Sequence, residues 1–213
     1  LSKPSQRLST GHRLKSDALL LTVSAVWGSG FIAQRIAART MGNFTFNGAR
    51  FLLVTLFLLV LVRFRINISR KNIGWTILAG SVLFTASTLQ QIGIKTTTAG
   101  NAGFITSLYV VIIPILLVIF GRQRLRWTIW TAALMAATGT MLLSTSGRFK
   151  PATGDWIELA GAVMWAVHVI VVGKMAQRMD NLHFTIGQFA VCGLLSATFA
   201  WLIEIPPLPG ERA

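Results

Sequence analysis

The 213-residue chain contains one cysteine and six acidic residues, and only 12% of it is charged. The lone Cys192 excludes an internal disulfide framework and a multi-cysteine metal site, and its place inside an apolar block marks it as a packing residue. Embedded enzymes need paired carboxylates or clusters of ligating side chains at depth. Here the acids are Asp17, Asp155, Glu158, Asp180, Glu204 and Glu211, five of which fall at the ends of apolar blocks or between them. No Gly-x-x-x-x-Gly-Lys phosphate loop occurs, which excludes an ATP-driven motor within this chain. Soluble domains carry roughly 25% charged residues, so charge this sparse does not cover a water-facing surface.

What is abundant is apolar: 53% of the residues are hydrophobic and the mean hydropathy is +0.63. They lie in blocks of membrane length separated by short polar or basic punctuation, which predicts an all-α, polytopic bundle of about seven transmembrane helices. The spans run from about Ala18 to Ala38, Phe46 to Val62, Ile73 to Ile94, Ala99 to Phe120, Trp127 to Ser144, Trp156 to Met175 and Phe184 to Ile203. A basic stretch precedes the first block, as in a cleavable signal, but that block is long and is followed by others like it, so it reads as a retained span. The first residue is Leu1 rather than Met, which suggests a chain that has lost its start.

Residues 1–16 are polar and basic and read as a flexible cytoplasmic tail. The net charge of +14 and isoelectric point near 11.8 suggest a nucleic-acid partner only until the positions are read. The basic residues sit between apolar blocks, where they hold helix ends at an anionic lipid surface. An inside N-terminus puts Lys3, Arg7, Arg13, Lys15, Arg63, Arg65, Arg70, Lys71, Arg122, Arg124, Arg126, Lys174 and Arg178 on the inner side, 13 of the 20 basic residues. A multi-pass protein of the cell membrane is expected, in contact with lipid and without nucleic acid.

The sequence also matches itself at a constant offset of 138. Asp17, Leu21, Trp27, Ala38, Met41, Asn43, Phe46, Phe51 and Leu56 recur as Asp155, Leu159, Trp165, Ala176, Met179, Asn181, Phe184, Phe189 and Leu194. Five spans separate the two starts, and an odd number forces the second copy to insert upside down. The expected organisation is a tail at 1–16, a first five-helix unit at 17–146 and the first two helices of a second unit at 154–213. A completed second unit needs about three more spans, on the order of 70 to 80 residues.

Three pieces carry a family resemblance: Ala25-Val26-Trp27-Gly28-Ser29-Gly30-Phe31, Gly48-Ala49-Arg50-Phe51, and the stretch from Gly93 to Pro114 containing Ala99-Gly100-Asn101-Ala102-Gly103-Phe104-Ile105. They resemble the EamA-type branch of the drug/metabolite transporter superfamily, ten-helix proteins built from two five-helix repeats. The resemblance spans about residues 17 to 203. It implies secondary transport of a small metabolite, often export of amino acids or related compounds, by alternating access between inverted repeats, with no cofactor. In the second copy Trp165 is kept, but Ala166-Val167-His168 stands opposite Gly28-Ser29-Gly30, and Gln188 opposite Arg50. The rival readings are a membrane-embedded lipid-modifying enzyme, a passive channel and a structural subunit.

Polar groups at membrane depth cost a few kcal/mol each unless they meet water, substrate or another polar group, so their positions carry information. Trp27 and Gln34 share one face of the first span, with Gly28 and Ser29 beside them, and fit either a substrate-cavity wall or close helix packing. Thr106 and Tyr109 are neighbours in the fourth span, and Pro114 removes a backbone hydrogen bond there, which predicts a kink. Thr106 serves equally as a hydroxyl bonded to its own helix. Trp165 and His168 lie one turn apart in the sixth span; His168 is a candidate proton carrier or a neutral packing residue. Gln90, Gln91 and Asn101 are outer-gate candidates, or interfacial residues that cap and hydrate. Arg50 belongs with them as an attractor of anionic groups, though anchorage to lipid phosphates is the plainer expectation, and Glu158 is expected to snorkel to the interface.

The orientation is testable by side-specific labelling: cysteines introduced at Lys71 and Lys174 react from the same face of the bilayer. Reaction from opposite faces contradicts the assigned topology.

Overall fold

The computed structural model describes residues 10–122, 125–145 and 152–204. The first nine residues of the basic tail, Arg124, Arg148, Lys150, Glu211 and Arg212 lie outside the described residues. The described residues form eight helices: α1 (Thr10–Thr40), α2 (Asn43–Leu61), α3 (Arg70–Gly93), α4 (Ala99–Ser107), α5 (Tyr109–Ile119), α6 (Trp127–Thr145), α7 (Thr153–Met175) and α8 (Asn181–Ile203). The fold is the expected all-α polytopic bundle, with α4 and α5 together occupying the fourth block. Among the described residues, six segments are long and apolar enough to cross a membrane, with α4 and α5 counted as one. The helix expected from Trp127 is α6.

The largest departures from the sequence expectation are at the start of α1 and within the fourth block, beside starts of α2, α3, α7 and α8 that fall three residues earlier than expected. Helix α1 starts at Thr10, so residues 10–16 are helical where the sequence reads as a flexible tail; no proline or glycine pair interrupts them, and a helix once nucleated extends at little cost. The fourth block is interrupted at Leu108 and not at Pro114, which sits inside α5. A proline ring crowds the residues N-terminal to it, so the departure falls upstream. There the Leu108 N–H donates to Ile105 O at 3.1 Å and the Val111 N–H to Leu108 O at 2.9 Å, the tighter pattern of a 3₁₀ turn.

The core sits where α3 and α7 pack together, with α8 laid across α2 and α3. Small residues permit it: Ala79, Ala86, Ala162 and Ala166 are fully or almost fully enclosed. At the tightest point Gly93 faces Gly154. A Cβ on Gly154 would run into the Gly93 carbonyl and the Thr96 hydroxyl, and one on Gly93 would meet the Glu158 side chain at 2.8 Å. Around this seam lie Phe184, Met175, Ala79 and Val171 at one end and Phe51, Leu83 and Cys192 nearer the middle. Large apolar side chains on the outside, such as Leu19, Leu20, Leu53, Phe57 and Trp201, are exposed as a lipid-facing surface requires.

Two polar clasps join helix ends across the bundle. Glu204, at the end of α8, accepts hydrogen bonds from Phe44 N–H at 2.9 Å, Thr45 N–H at 2.8 Å and the Thr45 hydroxyl at 2.7 Å, so it caps α2. Asp180 caps its own helix α8 through Leu182 and His183 N–H groups at 3.0 and 3.1 Å, and the hydrogen bond from His183 N–H leads in holding its carboxyl below the usual range. His183 in turn donates through Nε2 to the Arg65 carbonyl at 3.1 Å, tying α8 to the connection after α2.

Burial at the helix junction pushes the Glu204 carboxyl up, but the bonds from Thr45 and Phe44 together with the charge of Lys95 outweigh it and leave it below 4.5. A lowered carboxyl contributes stability fully above the unfolded value and loses it as pH falls through the native one. Glu204→Ala is therefore expected to cost about 1 kcal/mol at neutral pH, a deficit that fades in acid. Gly154→Val is expected to cost about 1–3 kcal/mol by overpacking the seam. Thermal unfolding in detergent measures both; unchanged midpoints contradict the assigned contacts.

Candidate functional site

Two cavities open between the helices and share one wall. The larger, about 810 Å³, is lined from α1 by Trp27, Gly30 and Gln34, from α2 by Phe46, Arg50 and Phe51, from α3 by Leu83 and Gln90, from α7 by Trp165 and His168, and from α8 by Gln188 and Phe189. Its volume lies within the range of small-molecule sites. The smaller, about 670 Å³, is lined by Trp27, Gly28, Phe31, Gly103, Thr106 and Tyr109 among others. Trp27 belongs to both and lies 6.4 Å from the Tyr109 ring. Gln90 of the larger cavity donates through Nε2 to the Thr106 hydroxyl of the smaller at 3.0 Å, so this bond bridges the two walls.

Part of the larger cavity's lining stands at the offset at which the sequence matches itself. Trp27 and Trp165, Gly30 and His168, Gln34 and Val172, Arg50 and Gln188, and Phe51 and Phe189 all line it, each pair separated by the same 138 positions. Phe51 and Phe189 stack obliquely on each other with centroids 5.4 Å apart. Where the pairs differ in type the two sides present different chemistry: Arg50 and Gln34 from one set, His168 and Gln188 from the other.

The polar groups divide into satisfied and unsatisfied. His168 Nε2 donates to Gln188 Oε1 at 2.8 Å, and the His168 ring meets Trp165 edge-on at 5.8 Å. Arg50 lies two turns inside α2; its Nη2 donates to Asn47 Oδ1 at 2.9 Å and its guanidinium lies over the rings of Phe46 and Phe51 at 5.3 and 4.7 Å. The expected anchorage to lipid phosphates is thus corrected: α2 begins at Asn43, earlier than the Phe46 start read from the sequence, which carries Arg50 inward to the cavity. Arg50 Nε, Trp165 Nε1 and Gln34 Oε1 are buried without a partner. Buried polar atoms without partners are uncommon in folded proteins, and three of them belong to residues that line this one cavity.

The other sequence candidates fall as follows. Gln91 Nε2 donates to the Gln34 backbone carbonyl at 3.1 Å, joining α3 to α1 and not to Asn101. Asn101 receives its Thr98 cap through its own N–H at 3.0 Å, and among the described residues no hydrogen bond joins it to Gln90 or Gln91. Ser29 lines neither cavity: it is exposed, and its hydroxyl donates to Val26 O at 2.7 Å. The heptad face of Trp27 and Gln34 points inward, and Ser29 stands off it.

Glu158 overturns its expectation outright. It is wholly enclosed and not snorkelled, because the seam of α3 and α7 closes over it: Gly93 lies against its methylenes, and its Oε2 accepts from the Thr106 hydroxyl at 3.4 Å. One turn away, Asp155 accepts from the Ala152 N–H at 2.7 Å and from the Thr97 hydroxyl. The sequence signal for Glu158 was its one-turn depth inside an apolar block; what it lacked was the position of the glycines opposite. Gln188 was legible as the repeat counterpart of Arg50, and Asn47, also missed, lies one turn before Arg50 and faces it.

Comparison with known proteins follows the same lines. The model of the EamA-like transporter family matches residues 14–145. An uncharacterized transporter of Archaeoglobus fulgidus is 31% identical over 192 residues, covering 88% of this chain and 58% of its own length. A second uncharacterized transporter of the same organism is 23% identical over 195 residues, covering 87% of this chain and 67% of its own. The chain therefore spans little more than half the length of the first of these relatives. A solved crystal structure matches with a TM-score of 0.63 at 19% identity, over 88% of this chain and 70% of its own, a likeness of fold.

The partition between the cavities is open to test. Thr106→Val removes both the acceptor for Gln90 and the donor to Glu158 while keeping the shape, and is expected to destabilise by about 1–3 kcal/mol through the orphaned amide. An unchanged thermal midpoint in detergent argues that the bridge does not form.

Proposed function

Since the chain belongs to the EamA-like transporter family, we propose that it is a secondary carrier of amino acids or related zwitterions, moved outward by alternating access between two inverted units. The observation that carries this reading is the set of unpartnered buried atoms on the walls of the larger cavity. Arg50 Nε and Trp165 Nε1 are donors suited to a carboxylate, and Gln34 Oε1 is an acceptor suited to an ammonium group. Between them the walls are aromatic and aliphatic, from Trp27, Phe46, Phe51, Leu83 and Phe189, which suits an apolar side chain.

The five repeat-related pairs around the cavity support the inverted arrangement, because a pseudo-two-fold axis through a midplane site places equivalent residues on opposite walls. The unit boundaries proposed are 17–146 for the first and 154 onward for the second. An inside N-terminus in the cell membrane follows from the distribution of basic residues. Transport chemistry here needs binding and exclusion of water and no bond-making residue, so a carrier is favoured over a lipid-modifying enzyme. Saturation of flux with substrate separates a carrier from a passive channel.

Counterflow of radiolabelled amino acids in proteoliposomes tests the reading, performed on the chain and on its longer relatives from Archaeoglobus fulgidus. Saturable exchange is expected in at least one of these. In this chain, Arg50→Lys is expected to weaken apparent affinity about tenfold or more, because the partnerless Nε and the planar fork are lost. Exchange unaffected by that substitution, or flux that rises linearly with concentration, contradicts the proposal.

A further inference from the structure

We infer that Glu158 is a proton-binding site that controls the hydrogen-bonded partition between the two cavities, and so links the carrier to pH. The inference rests on the carrier reading above for its role and on the geometry of α3, α4 and α7 for its existence.

Glu158 has no exposed surface, and its Oε1 is buried without a partner. Its other oxygen has one donor, the Thr106 hydroxyl at 3.4 Å. An ionised carboxylate enclosed in this way lacks both a cation and the two or three donors that compensate for lost water, at a cost of several kcal/mol. Gly93 walls it on the α3 side, lying against its side chain.

The surrounding charges do not rescue it. The helices whose backbones approach α7 are α3, α4 and α5, and α8 touches it through side chains. The charged or titratable residues of these four are Arg70 and Lys71 at the far start of α3, Tyr109 at the start of α5, and His183 and Cys192 of α8, with none in α4. Arg35 of α1 donates to the Ile94 carbonyl at 3.2 Å. After α3, Lys95 is exposed. On α7 itself stand Asp155, one turn away and of the same sign, then His168 and Lys174. His168 is about 15 Å along the helix at 1.5 Å per residue, and Lys174 is farther still. Among the described residues no ion pair includes Glu158.

The enclosed arrangement is thus built for the neutral acid. Thr106 connects that acid to function, since the same hydroxyl that donates to Glu158 accepts from Gln90 and so bridges the walls of both cavities. When the seam opens to water, the Glu158 O–H bond breaks, its proton passes to a water molecule, and the carboxylate is left to draw new donors. The Thr106 and Gln90 contacts then rearrange, and the partition moves with them. No redox change or further reactant is involved.

His168, the candidate named from the sequence, is by contrast already bonded to Gln188 of α8, and among the described residues no acid pairs with it.

Infrared titration of the whole chain in lipid vesicles tests this without any substrate. At neutral pH the expected result is a protonated carboxyl band, sensitive to deuterium exchange, that disappears as the pH is raised. It is absent in Glu158→Gln, which is a neutral isostere, and kept in Asp155→Asn. Tryptophan emission, read from Trp27 and Trp165 in a chain whose other five tryptophans are replaced by phenylalanine, is expected to titrate with pH and to stay flat when Glu158→Gln is added. No band at neutral pH, an equal band in Glu158→Gln, or emission that still titrates in that variant overturns the inference. So does sodium that removes the band at constant pH, which assigns the site to a metal cation. Failure of the amino-acid reading shows separately, as absent counterflow with these titrations intact.

Discussion

Lipid supplies no hydrogen bonds, so helices that meet within it are held by close contact and by the few polar groups they bury together. In this chain that contact is the seam of α3 and α7, where Gly93 faces Gly154 with no room for a methyl group on either. The seam encloses Glu158 and brings Thr106 of α4 onto it. Gln90, on the same stretch of α3, then reaches Thr106 and forms the wall between the cavities. A looser crossing would let water reach the acid and would leave the two cavities as one.

Across from the seam, α2 and α8 pack together and present Arg50, Phe51, Gln188 and Phe189 to the larger cavity. Polar groups there fall into two kinds. His168 with Gln188, and Arg50 with Asn47, hold each other in fixed geometry. Arg50 Nε, Trp165 Nε1 and Gln34 Oε1 have been left without partners in a place where their desolvation is costly. Fixed rotamers beside unfilled bonding capacity are what a preorganised binding site requires, because a ligand then gains bonds without ordering the wall.

Much of the fold was legible because its signals are local. Apart from the start of α1, block length and apolarity gave the helices within a few residues, as with Trp127 for α6 and Met175 for the end of α7. Trp27, Gln34, Trp165 and His168 were identifiable because a bulky or polar residue amid apolar neighbours stands out, and all four line the larger cavity. What was not legible depends on which helix faces which. Glu158 looked like an interfacial acid until Gly93 and Thr106 were seen to close over it. Ser29 looked inward only because it neighbours Trp27, and a shift of two residues turns it about 200° around a helix. Arg50 looked interfacial because the start of α2 was set three residues late.

The account depends on two like-built units that face opposite ways, with the cavity between them. Lys15 and Thr153 stand 138 positions apart and are both exposed, just before the starts proposed for the two units. Replacing each by cysteine in turn and labelling intact vesicles with an impermeant thiol reagent measures the arrangement directly. Lys15→Cys and Thr153→Cys are predicted to react from opposite faces of the bilayer; reaction of both from one face would contradict the inverted pair and the carrier built on it.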